Sequence, residues 1–288
     1  MHDNAEFEVT LRPEMGGVHL GLGGLWRYRD LLLLMVWRDF SARYRQTILG
    51  PLWFLLQPLL MTLVFTVVFG RIAGLSTDGL PPLLFYLCGQ LAWNYFAQNL
   101  TANSTTLSTN AGLFSKVYFP RLIVPLSAVI SNLFAFLIEA ATFAAFFLYF
   151  RHEPGPHRFF VDWRVVFLPL LLLQIALLSL GVGLLMSALT AKYRDLAHVT
   201  GLMVQVWMYL TPVILPLSVI LRKCPAHWQW LIALNPMASV VESFRLVLLG
   251  TGTVDPAWMA VSVGMTLAIL LAGLALFARV EMTFVDTV

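Results

Sequence analysis

The chain has 288 residues, 59% of them hydrophobic and 11% charged, whereas ordinary soluble domains carry roughly a quarter charged residues. A soluble core of this size has no room for so much apolar surface, so the excess must face lipid or neighbouring membrane helices. A net charge of +3 gives no electrostatic case for nucleic acid, and the two cysteines, Cys88 and Cys224, are too few and too far apart for a disulfide framework or a metal site.

Residues 1–25 are read as a flexible cytoplasmic N-terminus, because Met1 to Gly24 is acidic, then Gly-rich, and lacks the cationic start and apolar run of a secretory signal. Residues 26–288 are read as a single transmembrane domain. Its first element is an amphipathic helix: at 100° per residue Leu33, Val36, Trp37, Phe40, Tyr44 and Ile48 share one stripe, and Arg38, Asp39, Arg45 and Gln46 point the other way. The apolar run Leu31 to Trp37 is too short to span, so this helix is expected at the headgroup level. Gly50 and Pro51 then end it and turn the chain into the first span.

Six stretches approach the roughly 20 apolar residues a spanning helix needs: 52–69, 83–100, 122–150, 165–189, 202–221 and 258–277. The fold class is therefore all-α and polytopic, since a barrel's alternating pattern is absent. Six spans place both termini on one side. That side collects eleven Lys and Arg, six of them before the first span, against seven opposite, which makes it cytoplasmic. Pro212 and Pro216 are expected to bend the fifth span near its outer end.

Two connections carry information. Thr101 to Arg121 is polar, rich in helix-capping residues and closes on a basic, aromatic patch, as expected of a short surface helix on the cytoplasmic side. His227 to Gly250 is apolar, but Asn235 and Pro236 interrupt it and Glu242 and Arg245 lie one turn apart. It reads as two short half-inserted outer helices rather than a seventh span.

Polar residues at membrane depth are the functional candidates. Glu139 is the one acidic residue deep in a span, with Asn132 on the same face. It reads either as a proton-coupling group, as a polar wall of a path, or as a lock between helices. Gln90, Asn94 and Gln98 recur every four residues in the second span, with Trp93 and Tyr95 nearby. Such amides bond a neighbouring helix or line a hydrophilic path. Trp207 and Tyr209, with Gln205, offer the same chemistry in the fifth span. The small residues Ser179, Gly183 and Ser187, and Gly264, Ala268 and Ala272, are spaced by four and are expected at close helix contacts. No Gly-Lys-Ser or Gly-Lys-Thr phosphate loop, metal-spaced cluster or nucleophile elbow occurs, so an enzyme is a poor reading.

Three stretches in order, WRDFSARYRQTILGPLWFLLQP (Trp37 to Pro58), KVYFPRLIVP (Lys116 to Pro125) and NPMASVVESFRLVLLG (Asn235 to Gly250), with weaker support from KYRD (Lys192 to Asp195), resemble the membrane subunit of bacterial ABC transporters that export polysaccharides. These include O-antigen, capsule and teichoic-acid exporters. The resemblance implies a homodimeric permease in the inner membrane, paired with two copies of a separate ATPase that binds ATP and Mg. Its cargo would be an undecaprenyl-diphosphate-linked glycan moved outward, with no cofactor on this chain. It further implies that the N-terminal helix forms a cytoplasmic interface, with Arg38, Arg43 and Arg45 as candidates for the lipid diphosphate. A coupling helix would fall in Ser104 to Tyr118, with Ser104, Thr105, Leu113, Phe114, Lys116 and Tyr118 as its residues. Asn235, Pro236, Glu242 and Arg245 would shape an outer gate. Trp53, Gln57, Gln90, Trp93, Asn94, Gln98, Glu139, Trp207 and Tyr209 are the candidates for the translocation path. The rival readings are a proton-coupled secondary transporter using Glu139 and a non-transporting membrane scaffold.

Overall fold

The computed structural model describes residues 26–44, 48, 50–114, 116–117, 119–152, 162–193 and 195–284. The expected flexible segment 1–25 lies outside them. Among the described residues all regular structure is helical. We number the helices α1 (Arg29–Tyr44), α2 (Trp53–Phe65), α3 (Pro82–Ser104), α4 (Thr106–Thr109), α5 (Ala111–Phe114), α6 (Ile123–His152), α7 (Leu168–Lys192), α8 (Leu196–Leu210), α9 (Leu217–Lys223), α10 (Gln229–Ala233), α11 (Pro236–Leu249) and α12 (Pro256–Phe284).

Four of these, extended where a tighter or wider turn adjoins, are long and apolar enough to cross a membrane: Trp53–Ile72, Ile123–His152, Trp163–Lys192 and Pro256–Glu281. They fall on the expected first, third, fourth and sixth spans. The first begins after Gly50, whose φ of +49° makes the left-handed turn that a side chain would oppose. Pro58 sits inside α2 and removes one N–H, and beyond Phe65 the helix widens into a π-helical stretch over Thr66–Ile72. α3 covers the expected second span with 23 residues, about 35 Å at the rise of an α-helix, but its amides and hydroxyls keep it less apolar than the other four. The fifth expected span, 202–221, is not continuous: α8 stops at Leu210 after 15 residues, the chain turns through Thr211 to Pro216, and α9 follows. Pro212 and Pro216 supply no backbone N–H, so the ladder breaks there instead of bending. Residues 227–250 form two pieces that meet at 83°, because Asn235 caps α11 by accepting from the Met237 N–H at 3.1 Å and Pro236 takes the first helical position.

The centre of the bundle is α3, buried without interruption from Leu84 to Trp93. It packs on α6, α7 and α11, and α7 packs in turn along α12. The α7–α12 seam is set by two glycines. A Cβ on Gly181 would stand 2.7 Å from Leu270 Cα, and one on Gly273 would overlap the Gly181 carbonyl. Gly183 is likewise tight, its Cβ position lying 2.5 Å from Asn103 Cβ on α3. The expected stripe Gly264, Ala268 and Ala272 is exposed instead. The contact face of α12 is rotated from it, through Ser262, Thr266, Gly273 and Phe277, because Ser262 finds partners on two other helices and Gly273 admits α7 closely, whereas one glycine and two alanines need no partner. Ser262 Oγ accepts from Gln174 Nε2 at 2.7 Å and donates to the Pro236 carbonyl at 2.8 Å, joining α7, α12 and α11.

The helix α1 also differs from its expected stripe. Met35 and Val36 are buried, and Tyr28, Leu31, Leu32 and Met35 pack with Phe119, Ile123 and Val124, whereas Leu33 and Trp37 are exposed. The helix is apolar on two faces: one lies along the start of α6, and the other carries Leu33, Leu34 and Trp37 outward. Ile48 stands beyond its end and is fully exposed.

Candidate functional site: a polar groove between α2, α3 and α6

Asn94 and Gln98 lie four residues apart on α3, which places both amides on one face. Opposite them, Glu139 comes from the middle of α6 and is 4% exposed. Asn94 Nδ2 donates to Glu139 Oε2 at 3.1 Å, and Gln98 Nε2 donates to Glu139 Oε1 at 3.4 Å. The Gln98 carbonyl oxygen is shut from solvent and has no hydrogen-bond partner in the protein. These three side chains line one side of a groove of about 530 Å³, with Ala97, Thr101 and Ala102 of α3, while Trp53, Phe54, Gln57, Pro58 and Met61 of α2 line the other. Five of the nine path candidates, Trp53, Gln57, Asn94, Gln98 and Glu139, thus converge on one cleft.

The other four do not. Gln90 and Trp93 are both 3% exposed and belong to the interior, Trp93 packing on Phe96 with ring centroids 5.3 Å apart. One turn of α3 separates Gln90 from Asn94, but the helix rotates it toward the core, where its Nε2 has no partner. Trp207 donates from Nε1 to Asn235 Oδ1 at 2.9 Å and sets its ring edge against Phe96. Tyr209 is exposed on α8, away from the groove. Asn132 lies on the Glu139 face as expected, but its Nδ2 donates to Asn99 Oδ1 at 2.7 Å, forming a separate contact between α6 and α3.

Of the gate candidates, Pro236, Glu242 and Arg245 are buried and Asn235 is half-buried. Arg245 is 1% and Glu242 2% exposed, and Arg245 Nη1 donates to Glu242 Oε1 at 2.9 Å. Arg245 Nη2 donates to the Val213 carbonyl at 2.8 Å, Glu242 Oε1 accepts from the Leu217 N–H at 2.8 Å, and the guanidinium sits 3.9 Å over the Phe85 ring. Together they clamp the broken turn between α8 and α9 against α3 and α11. Gly89 makes room, since a Cβ there would be 3.0 Å from Arg245 Nη2. Asn235 also donates to the Leu210 carbonyl and to Thr211 Oγ1, both at 3.1 Å, and Pro236 is buried behind it. Phe85, Gly89, Val213 and Leu217 are the partners sequence reasoning missed. The signal available was an arginine and a glutamate three residues apart in an otherwise apolar run, which requires a neutralising, hydrogen-bonded site.

The connection after α3 forms two single-turn helices, α4 and α5. It is fastened at the start: Ser104 is 2% exposed, Thr190 Oγ1 donates to the Ser104 carbonyl at 2.6 Å, and the Leu107 N–H donates to Ser187 Oγ at 3.1 Å. Ser104 is therefore an anchor and not a surface residue. Thr105 is half-buried and accepts from Ser108 Oγ through its carbonyl, Leu113 and Phe114 pack toward α1, and Lys116 is exposed. Tyr118 lies outside the described residues. Arg121, which the sequence marked only by the motif around it, donates from Nη1 to the Glu281 carbonyl at 2.7 Å, pairs with the Glu281 carboxylate at 3.6 Å and stands 5.4 Å over Phe114. It links this connection to the end of α12. Of the arginines before the first span, Arg38 pairs with Asp39 at 2.8 Å, and Asp39 accepts from Ser127 Oγ on α6 at 3.1 Å. The Arg43 side chain and Arg45 lie outside the described residues. Among the described residues no three His, Cys, Asp or Glu side chains come together in a way that would hold a metal ion.

Several membrane-length apolar helices around a groove with a polar side define a polytopic helical membrane protein. The chain belongs to the ABC-2 type transporter family, whose sequence pattern matches residues 30–249. It is 30% identical over 223 residues to the O-antigen export system permease protein RfbA of Myxococcus xanthus, covering 77% of this chain and 82% of that protein. A Klebsiella pneumoniae RfbA of the same description is 25% identical over 257 residues, 89% of this chain and 94% of that one. The polysialic acid transport protein KpsM of Escherichia coli is 24% identical over 250 residues, 85% of this chain and 91% of that one.

Proposed function

We propose that this chain is the permease subunit of an ATP-driven exporter, moving a lipid-linked polysaccharide such as an O-antigen or capsule glycan from the cytoplasm to the outer side of the inner membrane. It works as a homodimer with two copies of a separate ATPase that carries ATP and Mg, six membrane-crossing elements per copy and both termini in the cytoplasm. The glycan is carried on undecaprenyl diphosphate. The likeness to export permeases over 77–89% of the chain carries this reading.

The geometry supports it at one point. Among its described side chains α8 buries only Thr200, yet it presents an amide, Gln205, at its surface. An amide turned toward hydrocarbon is costly. A second copy facing α8, with a hydrated sugar path between, gives this amide partners. In the same reading the exposed part of the connection after α3, Ser108, Thr109, Gly112, Lys116 and Val117, is the surface the ATPase engages.

The test is deletion of the chain, with surface glycan and lipid-linked glycan inside the cell both quantified. Loss of the first with accumulation of the second, reproduced by changing the phosphate-loop lysine of the ATPase, is expected. Unchanged surface glycan in the deletion strain refutes the proposal. Glu139, an acid at membrane depth that borders a groove, keeps one rival in play: a proton-coupled transporter. Transport driven by a pH gradient without any ATPase, and abolished in Glu139→Gln, would establish that rival instead.

A further inference from the structure

We propose that the groove between α2, α3 and α6 is a binding subsite for a single sugar unit of the glycan, lying within one protomer. The inference rests on the exporter reading and adds a place and a chemistry to it. The carboxyl of Glu139 is held in the groove side by Asn94 and Gln98, and each of those amides keeps a second N–H, since a primary amide carries two. A lock between α3 and α6 would need only the two bonds to Glu139. It would not require the facing wall of Trp53 and Gln57 across the cleft.

The combination matches a pyranose in two respects. Vicinal hydroxyls both donate and accept, so they pair with a carboxyl and amides placed side by side. The C–H face of the ring is apolar and packs on an indole, for which Trp53, about half exposed, is presented on the opposite wall. The volume, about 530 Å³, lies within the roughly 300–1,000 Å³ of small-molecule sites.

The same chemistry argues against the other parts of a lipid-linked glycan. No Lys or Arg lines the groove, and a carboxyl lies in it, so a diphosphate finds no donor of the right charge. An acyl chain would strip water from three polar side chains and return no hydrogen bond. The groove also has a position in the chain that suits loading. Trp53 and Gln57 lie in the first two turns of α2, and Thr101 and Ala102 lie in the last turn of α3, so it extends from mid-membrane toward the end of the helices that adjoins α1 and α4.

The experiment uses the full chain in lipid nanodiscs, with repeat-unit oligosaccharide released by mild acid from the strain's own surface glycan as the probe. Saturation-transfer NMR reads contact with ring protons. Wild type is expected to transfer saturation to them, and Trp53→Ala, Asn94→Ala with Gln98→Ala, and Gln57→Ala are each expected to weaken apparent affinity about tenfold. Gln57 is exposed, so Gln57→Ala serves as the variant that folds even if the paired amide change does not, and chain abundance is measured for all. Inorganic pyrophosphate is expected not to compete. Absence of transfer to wild type, equal transfer to all variants, or displacement by pyrophosphate overturns the subsite. None of these outcomes touches the exporter reading, which is judged separately by glycan accumulation in the deletion strain.

Discussion

Replacing Arg245 with Met removes the cation of a buried pair while keeping much of its volume. The side chains of Arg245 and Glu242 are 2% and 3% exposed, and their atoms meet at 2.9 Å. Breaking such a pair from one side costs about 3–5 kcal/mol, mostly because the remaining charge is left without a counter-ion. Here the Glu242 carboxylate keeps only the Leu217 N–H, and the Val213 carbonyl loses its donor. With about 2 °C of melting shift per kcal/mol for a chain of this size, Arg245→Met is expected to lower the midpoint in detergent by roughly 6–10 °C. Glu242→Gln should cost a similar amount from the other side, since it strands the guanidinium between Val213 and Phe85. The double variant Glu242→Gln with Arg245→Met carries neither charge, so it should be less destabilised than the sum of the singles by about 1–3 kcal/mol. Thermal denaturation of the four proteins in one detergent closes the cycle. A midpoint shift for Arg245→Met below about 2 °C, or strict additivity, would refute the claim that this pair clamps the α8–α9 turn.

Three further outcomes follow from the packing. Gly273→Leu should abolish accumulation of the chain in membranes, since even a Cβ there meets the Gly181 carbonyl, while Gly264→Ala, with nothing within 4 Å, should accumulate normally. Quantitative immunoblotting distinguishes them, and equal abundance would contradict the seam. Asn235→Ala removes the cap of α11 together with the bonds to Trp207, Leu210 and Thr211. The loss should exceed the about 1 kcal/mol of an isolated cap and appear as a lower melting midpoint than Trp207→Phe gives. Arg121→Ala should cost about 1.5–3 kcal/mol through its charged hydrogen bond to the Glu281 carbonyl, and should raise protease cleavage near the C-terminal end of α12. Unaltered cleavage would show that Arg121 does not hold that end.

Long apolar periodicity made four spans legible to within a few residues, because lipid imposes a single requirement on every residue of such a run. The α8–α9 break was half legible: two prolines mark it, but whether a proline bends or ends a helix depends on what holds the broken turn, and here Arg245 takes the Val213 carbonyl and Glu242 the Leu217 N–H. Faces were the poorest guide. A helix apolar on two sides, such as α1, gives no angular signal for which side meets protein. Small residues spaced by four mark a face only when something packs there, which is why Gly264, Ala268 and Ala272 misled while Gly183 did not. Within the candidate site, the four-residue spacing of Gln90, Asn94 and Gln98 gave the two members that meet Glu139. It also included one that does not, since 400° rather than 360° per four residues carries a straight stripe away from its target.

The packing also sorts the molecule into parts that must move together and parts that need not. α3, α7, α11 and α12 share a glycine seam, the Gln174–Ser262–Pro236 chain and the Arg245 clamp, so a displacement of one strains the others at close-packed contacts. The connection after α3 is tied to this body twice, through Ser104 and Leu107 to α7, and a third time through Arg121 to α12. A push on its exposed surface therefore acts on the body as a whole. α2 stands apart from it, following the left-handed turn at Gly50 and leading to another at Gly74, whereas α8 is joined to it by Trp207, through Asn235 and Phe96. The groove with Glu139 lies where this body meets α2, its Asn94 and Gln98 on α3 and its Trp53 and Gln57 on α2.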